Sequence, residues 1–253
     1  MGTVSFDFKG EVVVVTGGSR GLGLEIAHAF GYAGAKVVIT ARREQWLNEA
    51  EKFLKDQAIA VDALICDVAD TAAVEQMIQQ ALEKNGKIDV LVNNAGLTWG
   101  APVETMPLER WRQVIDANIT GTFLMSQVVG RHMLERKKGA IVNVASIAGL
   151  GGGQLQTIGY NASKAAVINL TRALAVEWAG RGIRVNAIAP SMFRTRMTQA
   201  ILDRAESVIA ATTPMGRIGQ PGEIAPAVLF LASEGASYIT GQVIPIDGGR
   251  SAQ

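Results

Sequence analysis

Short runs of β-branched and aliphatic residues recur along the chain, separated by stretches whose apolar positions fall three and four apart. The runs at residues 12–16, 36–40, 61–66, 90–93, 140–145, 184–188 and 243–246 predict strands. Val12 to Val15 is apolar without alternation, as expected of a strand covered on both faces. Leu24, Ile26, Ala27, Ala29 and Phe30 follow with helical spacing. Further helices are predicted over 71–84, 108–135 with a break near Asn118, 161–179 and 223–231. Such alternation predicts an α/β fold, a mostly parallel sheet with helices on both faces and ligands at the carboxyl ends of its strands. No repeat or linker divides the 253 residues, so a single domain over 1–253 is expected.

The candidate chemistry falls at those strand ends. The first run flows into Thr16-Gly17-Gly18-Ser19-Arg20-Gly21-Leu22-Gly23. A glycine turn between a buried strand and a helix presents backbone N–H groups and a positive helix end to phosphate, which reads as a dinucleotide cradle. Tyr160 and Lys164 are four apart on a predicted helix and share a face. A phenol has an ordinary pKa of about 10. A cation ~4 Å away at an effective dielectric of ~20 contributes roughly 4 kcal/mol toward the phenolate, enough to lower it by about three units. On that arithmetic Tyr160 becomes a general acid/base near neutrality. Tyr32 and Lys36 have the same spacing, but Gly34 ends a helix between them, so they need share no face.

Composition narrows the class. Charges nearly cancel, at +1, which argues against a nucleic-acid or acidic-membrane partner. Residues 139–163 carry no charge and are long enough to span a bilayer, but Asn143, Ser146, Gln154, Gln156, Thr157 and three consecutive glycines interrupt them; a buried strand, a loop and a helix start are expected. The single cysteine, Cys66, and the lack of a leader before the first strand fit a reducing cytoplasm. His28 and His132 have no metal-ligand company, so no metal site is expected.

Taken with Asp67, Asn93-Asn94-Ala95-Gly96, Asn118, Ser146, Asn186 and Asp247-Gly248-Gly249, these motifs, in this order, resemble the short-chain dehydrogenase/reductase family over essentially the whole chain. The resemblance implies a Rossmann-like, doubly wound, seven-stranded fold and a nicotinamide cofactor. It implies that Tyr160 is the proton donor/acceptor, that Lys164 holds the nicotinamide ribose, and that Ser146 orients the substrate carbonyl. Asn118 matches a helix-interrupting asparagine that supports a water chain from the lysine. Asp67 and Val68 look like adenine contacts, Asn93, Ala95 and Gly96 like the stretch along the adenosine ribose, and Thr195, after Pro190, like a contact to the carboxamide or pyrophosphate. Two departures stand out: Pro190-Ser191 replaces the usual Pro-Gly, and the interval from Ser146 to Tyr160 is about one residue longer than usual.

After the second strand no carboxylate awaits a ribose 2′-hydroxyl; the chain reads Thr40-Ala41-Arg42-Arg43, with Arg20 in the glycine turn, so NADPH is expected over NADH. Expected pocket walls are Trp99, Leu150, Leu155, Ile158, Met192, Phe193, Met197, Ile201 and Leu202, the last five in a lid over 190–215. Their apolar character favours aryl or other apolar ketones and keto esters. The alternatives are a gluconate-type substrate, met by Arg194 or Arg196, and a 3-oxoacyl thioester whose acidic carrier protein docks on Arg136-Lys137-Lys138 and Arg181. A catalytically silent nicotinamide sensor is the reading from another class; against it, Tyr160 and Lys164 are intact. The resemblance and the long apolar helices together point to a homotetramer.

Overall fold

The structure, a computed structural model, describes residues 5–152 and 156–253. Seven parallel strands run in spatial order β3-β2-β1-β4-β5-β6-β7. They are β1 (Val12–Thr16), β2 (Lys36–Ala41), β3 (Val61–Ile65), β4 (Val90–Asn93), β5 (Gly139–Val144), β6 (Ile183–Pro190) and β7 (Val243–Ile246). The order reverses between β1 and β4, which opens a crevice beyond their carboxyl ends.

The pleat of β1 explains why its run does not alternate. Val13 and Val15 join one core with α1 (Gly21–Tyr32), α2 (Glu44–Asp56) and α8 (Ala225–Ala232). Val12 and Val14 point the other way, into a core with α3 (Thr71–Asn85), α5 (Gly121–Arg136) and α6 (Ile158–Trp178). Each such buried valine contributes about 1.5–3 kcal/mol, so a polar residue on either face would be costly. The expected break near Asn118 is a π-helical turn, Asp116–Thr120, between α4 (Leu108–Ile115) and α5. An extra residue in the turn aims the Asn118 side chain away from its own helix and toward the strand ends. The remaining helix, α7 (Gln199–Ala211), lies in the segment that follows β6. Among the described residues no helix is long and apolar enough to cross a membrane.

Candidate active site

Thr16, at the end of β1, ties the two strands that flank the crevice. Its hydroxyl accepts from the backbone N–H groups of Asn94 and Ala95, both at 3.0 Å. Asn94 Nδ2 donates to the carbonyls of Thr16 and Gly17, at 3.0 and 3.2 Å. This packing dictates Gly23: a Cβ there would lie 2.3 Å from the Gly17 oxygen and 2.4 Å from Asn94 Nδ2. Gly21 answers a different need, a left-handed φ of 55°. No side chain caps α1, so its first N–H groups face the crevice.

A cavity of about 560 Å³ runs along these strand ends. Toward β2 it is bounded by Arg20, Arg42, Arg43 and Trp46; its middle by Ser19, Leu22, Asp67, Val68, Ala95 and Gly96; its inner end, toward β5 and β6, by Ser146, Tyr160, Lys164, Pro190 and Phe193, while Thr195 and Met197 line it from the segment after β6. Asp67 is held by its own loop, its carboxylate accepting from Ala69 N at 3.0 Å and meeting Arg42 at 3.5 Å. Asn93, expected along the ribose, does not line the cavity. It lies beneath the floor, where Nδ2 donates to Ser126 and Asn143, and Asn143 donates on to Thr171.

At the inner end, Ser146 follows β5 and its hydroxyl accepts from Ala148 N at 3.1 Å. Tyr160 sits in the first turn of α6, which starts at Ile158, three residues before the sequence expectation. Lys164, one turn on, is buried and donates from Nζ to the Val144 carbonyl at 2.6 Å. Gly149 lets the turn after Ser146 pack against α6, since a Cβ there would lie 2.5 Å from the Lys164 backbone. Burial pulls the Lys164 ammonium down to about 8.

The phenol corrects the arithmetic from the sequence. Burial raises the Tyr160 pKa, and the hydrogen bond from Ser146 only partly opposes it. The lysine Nζ stands 5.8 Å from the phenol ring centroid, and its bond to Val144 aims it at the strand end. Desolvation of the phenol therefore exceeds what that ammonium supplies.

Asn118 is wholly buried. Its Oδ1 accepts from Leu97 N at 2.8 Å, and Nδ2 donates to the Leu97 carbonyl and the Ser163 hydroxyl, both at 2.9 Å. Ser163 in turn donates to the Tyr160 carbonyl at 2.8 Å. The asparagine thus pins the first turn of α6, and it reaches the cavity only through its neighbours.

The segment after β6 departs from expectation in several places. Ser191 needs no left-handed backbone, so the missing glycine costs nothing, and its N–H donates to Ile246 at 3.0 Å. Phe193 is buried against Gly219 and separates the first cavity from a second of about 440 Å³. Met192 faces that second cavity, not the inner site, because Gly219 N holds the Met192 carbonyl at 2.9 Å. Trp99 is not among the inner walls either; its stretch is drawn toward the loop before α6, where Ala101 N donates to Gln156 at 3.0 Å. Leu202 packs into a small core with Ile209 and Ile218, against which Ile201 also packs. Leu150 and Ile158 are exposed. Leu155 lies outside the described residues. Arg194 is engaged by Asp203 and Glu206 and turns away.

Trp46 is the functional candidate that pattern reading missed. It sits in an amphipathic helix, where an aromatic reads as ordinary surface or core, and only the fold brings it to the cavity beside the arginines.

The comparisons with known proteins decide the family. Residues 17–251 match the family described as enoyl-(acyl carrier protein) reductase. A 3-oxoacyl-(acyl-carrier-protein) reductase FabG of Thermotoga maritima is 40% identical over 241 residues, covering 95% of this chain and 98% of that protein. The chain belongs to the short-chain dehydrogenase/reductase family. A galactitol 2-dehydrogenase (L-tagatose-forming) of Cereibacter sphaeroides is 42% identical over 247 residues, covering 96% of each chain. The crystal structure of a gluconate 5-dehydrogenase from Burkholderia cenocepacia J2315, in complex with NADP and tartrate, superposes with a TM-score of 0.93 at 35% identity, covering 98% of both chains. The family places this short-chain dehydrogenase/reductase among oxidoreductases that interconvert CH–OH and C=O groups. Its basic run Arg136-Lys137-Lys138 precedes β5, whereas Ser146 follows it, so the patch lies at the opposite end of the sheet from the site. Arg136 is moreover committed to Asp89 and the Ile88 carbonyl.

Proposed function

We propose that this protein is an NADPH-dependent ketoreductase and secondary-alcohol dehydrogenase, with Ser146, Tyr160 and Lys164 as catalytic residues and Asn118 as a positioning residue. The observation that carries this reading is one continuous cavity, with Tyr160, Ser146 and Lys164 at its inner end and Arg20, Arg42 and Arg43 at the other. The residues fit a nicotinamide dinucleotide phosphate. The cradle has no room for a Cβ at Gly23, the α1 N-terminus is uncapped, and the arginine end suits a 2′-phosphate.

Bound there, the cofactor supplies the hydride. In reduction, negative charge grows on the carbonyl oxygen; Ser146 donates a hydrogen bond to it and Tyr160 Oη gives up its proton. Lys164, with its pKa near 8, stays protonated at neutral pH and stabilises the phenolate that remains. Asn118, through Ser163, keeps the turn that bears Tyr160 in register. In oxidation the same groups act in reverse.

For substrate, Phe193 and Met197 supply apolar walls to the cavity that Tyr160 lines and favour aryl or other apolar ketones and keto esters. A second reading has its own support: Thr98, Ser191 and Thr195 also line the cavity, and their hydroxyls suit a polyol or ketogluconate. Initial rates with NADPH for an aryl ketone, a 3-oxoacyl thioester and 5-ketogluconate, side by side, separate these. The aryl ketone should lead; a preference of about tenfold for ketogluconate, equal to about 1.4 kcal/mol of transition-state binding, selects the polyol reading. A fast thioester selects acyl reduction, and no NADPH oxidation with any ketone sinks the proposal.

The same proposal takes 1–253 as a single domain with residues 190–215 as the substrate lid, working as a cytoplasmic homotetramer. Phe123 on α5 and Val176 on α6 stand exposed where subunits would pack. A monomeric mass in sedimentation would overturn the assembly.

A further inference from the structure

Three guanidinium groups converge on one indole. The central carbons of Arg20, Arg43 and Arg196 lie 3.5, 4.1 and 4.8 Å from the ring centroid of Trp46. They arrive from three parts of the fold: the glycine turn before α1, the residue before α2, and the segment after β6. Among the described residues none of the three has a carboxylate within ion-pair distance, although their neighbours Arg42 and Arg194 do. The crowding registers on Arg20, whose guanidinium is held below its usual pKa by burial and then by the charges of Arg196 and Arg43.

A cation over a partly exposed indole such as Trp46 gains on the order of 0.5–1 kcal/mol. Three sharing a single ring repel one another, so the cluster is a standing excess of positive charge at the wall of the cavity. A dianion placed there would relieve the repulsion and satisfy planar donors that suit phosphate. The chain neighbours of Arg196 line the same cavity: Thr195 packs across the glycine turn, 3.6 Å from where a Gly21 Cβ would be, and Met197 follows it along the wall.

We infer that Arg196 is a specificity-determining residue: the substrate lid itself reads the coenzyme 2′-phosphate, with Trp46 as the platform that gathers Arg20, Arg43 and Arg196 around it. This rests on the NADPH reading above and goes beyond it. Coenzyme choice is then coupled to substrate binding, because the phosphate that attracts Arg196 also draws Thr195 and Met197 over the ketone. The KM for the ketone should be lower with NADPH than with NADH, and that difference should vanish in Arg196→Ala.

Calorimetric titration with adenosine 2′,5′-bisphosphate and with 5′-AMP tests the contact directly. Arg196→Ala should weaken the bisphosphate by about tenfold, the loss of one charged hydrogen-bonding partner, and leave 5′-AMP unchanged. Arg194→Ala, whose side chain is turned toward Asp203 and Glu206, should change neither. Equal bisphosphate affinity in wild type and Arg196→Ala overturns the inference while the NADPH reading stands. An equal loss on both probes also overturns it, since that marks a structural role. If the wild type does not distinguish the two probes, the NADPH reading fails and the inference falls with it.

Discussion

Replacing Lys164 with methionine should destroy turnover and yet stabilise the fold at neutral pH. The lysine is buried and its pKa falls from 10.5 to about 8. The folded protein therefore binds this proton more weakly than the unfolded chain, so the group destabilises the fold below pH 8 and the penalty is relieved as pH rises toward 10.5. At about 1.4 kcal/mol per tenfold change in proton affinity, the penalty is about 3 kcal/mol at pH 7 and about 1 kcal/mol at pH 10. Lys164→Met removes it but also removes the 2.6 Å bond to the Val144 carbonyl, a loss of about 1–2 kcal/mol. The expected net effect is a gain of about 1–2 kcal/mol at pH 7, or a melting point higher by a few degrees, and no gain at pH 10. Urea denaturation of both proteins at the two pH values measures it. Taking the difference between variant and wild type cancels every other titrating group. A difference that does not change between pH 7 and pH 10 would refute the reasoning, because it would mean that the lysine is buried without strain on its charge.

Gly23→Ala should cost about 1–3 kcal/mol of stability and at least tenfold in coenzyme affinity, since its Cβ would displace the Gly17 carbonyl or Asn94; a calorimetric titration with NADP+ showing wild-type affinity would contradict the cradle geometry. Asn118→Ala should lose about 2–4 kcal/mol in urea denaturation, because it leaves both backbone groups of Leu97 without their partner and takes away the bond that the Ser163 hydroxyl accepts. Asn118→Asp, which still accepts from Leu97 N but cannot donate to the Leu97 carbonyl and draws the Ser163 proton away from the Tyr160 carbonyl, should lower kcat with little change in KM, and a pure KM effect would argue against a role in positioning Tyr160.

The strands were legible from their β-branched and aliphatic runs, which burial on both faces leaves unbroken in β1, β4 and β5: β1, β4 and β7 fall at the expected residues, and the others differ by one or two at their ends. The break at Asn118 was legible as a break; its π-helical form was not, because an inserted residue changes the direction of a side chain without changing composition. The glycine turn was legible from the strand and helix that flank it, Tyr160 and Lys164 from their spacing, and Ser146 only through the family resemblance; the fold brings all of them to one cavity. Electrostatics was misread, since spacing places an ammonium near a phenol but says nothing of the water both lose. Trp99 and Met192 were misplaced for a related reason: pattern identifies an apolar residue near a strand end, while the side it faces depends on partners such as Gly219 and Gln156, far off in the chain. The basic run before β5 is near Ser146 in sequence and a strand length away in space.

The central claim is that Tyr160 delivers the proton at the inner end of a coenzyme cavity. Its most direct test is Tyr160→Phe, which keeps the ring and removes only the hydroxyl, assayed by NADPH oxidation with an aryl ketone alongside calorimetric titration of NADP+. The account predicts a fall in kcat of at least about a hundredfold, the scale of a lost general acid, with NADP+ affinity within a few-fold of wild type. Undiminished turnover in Tyr160→Phe would contradict it.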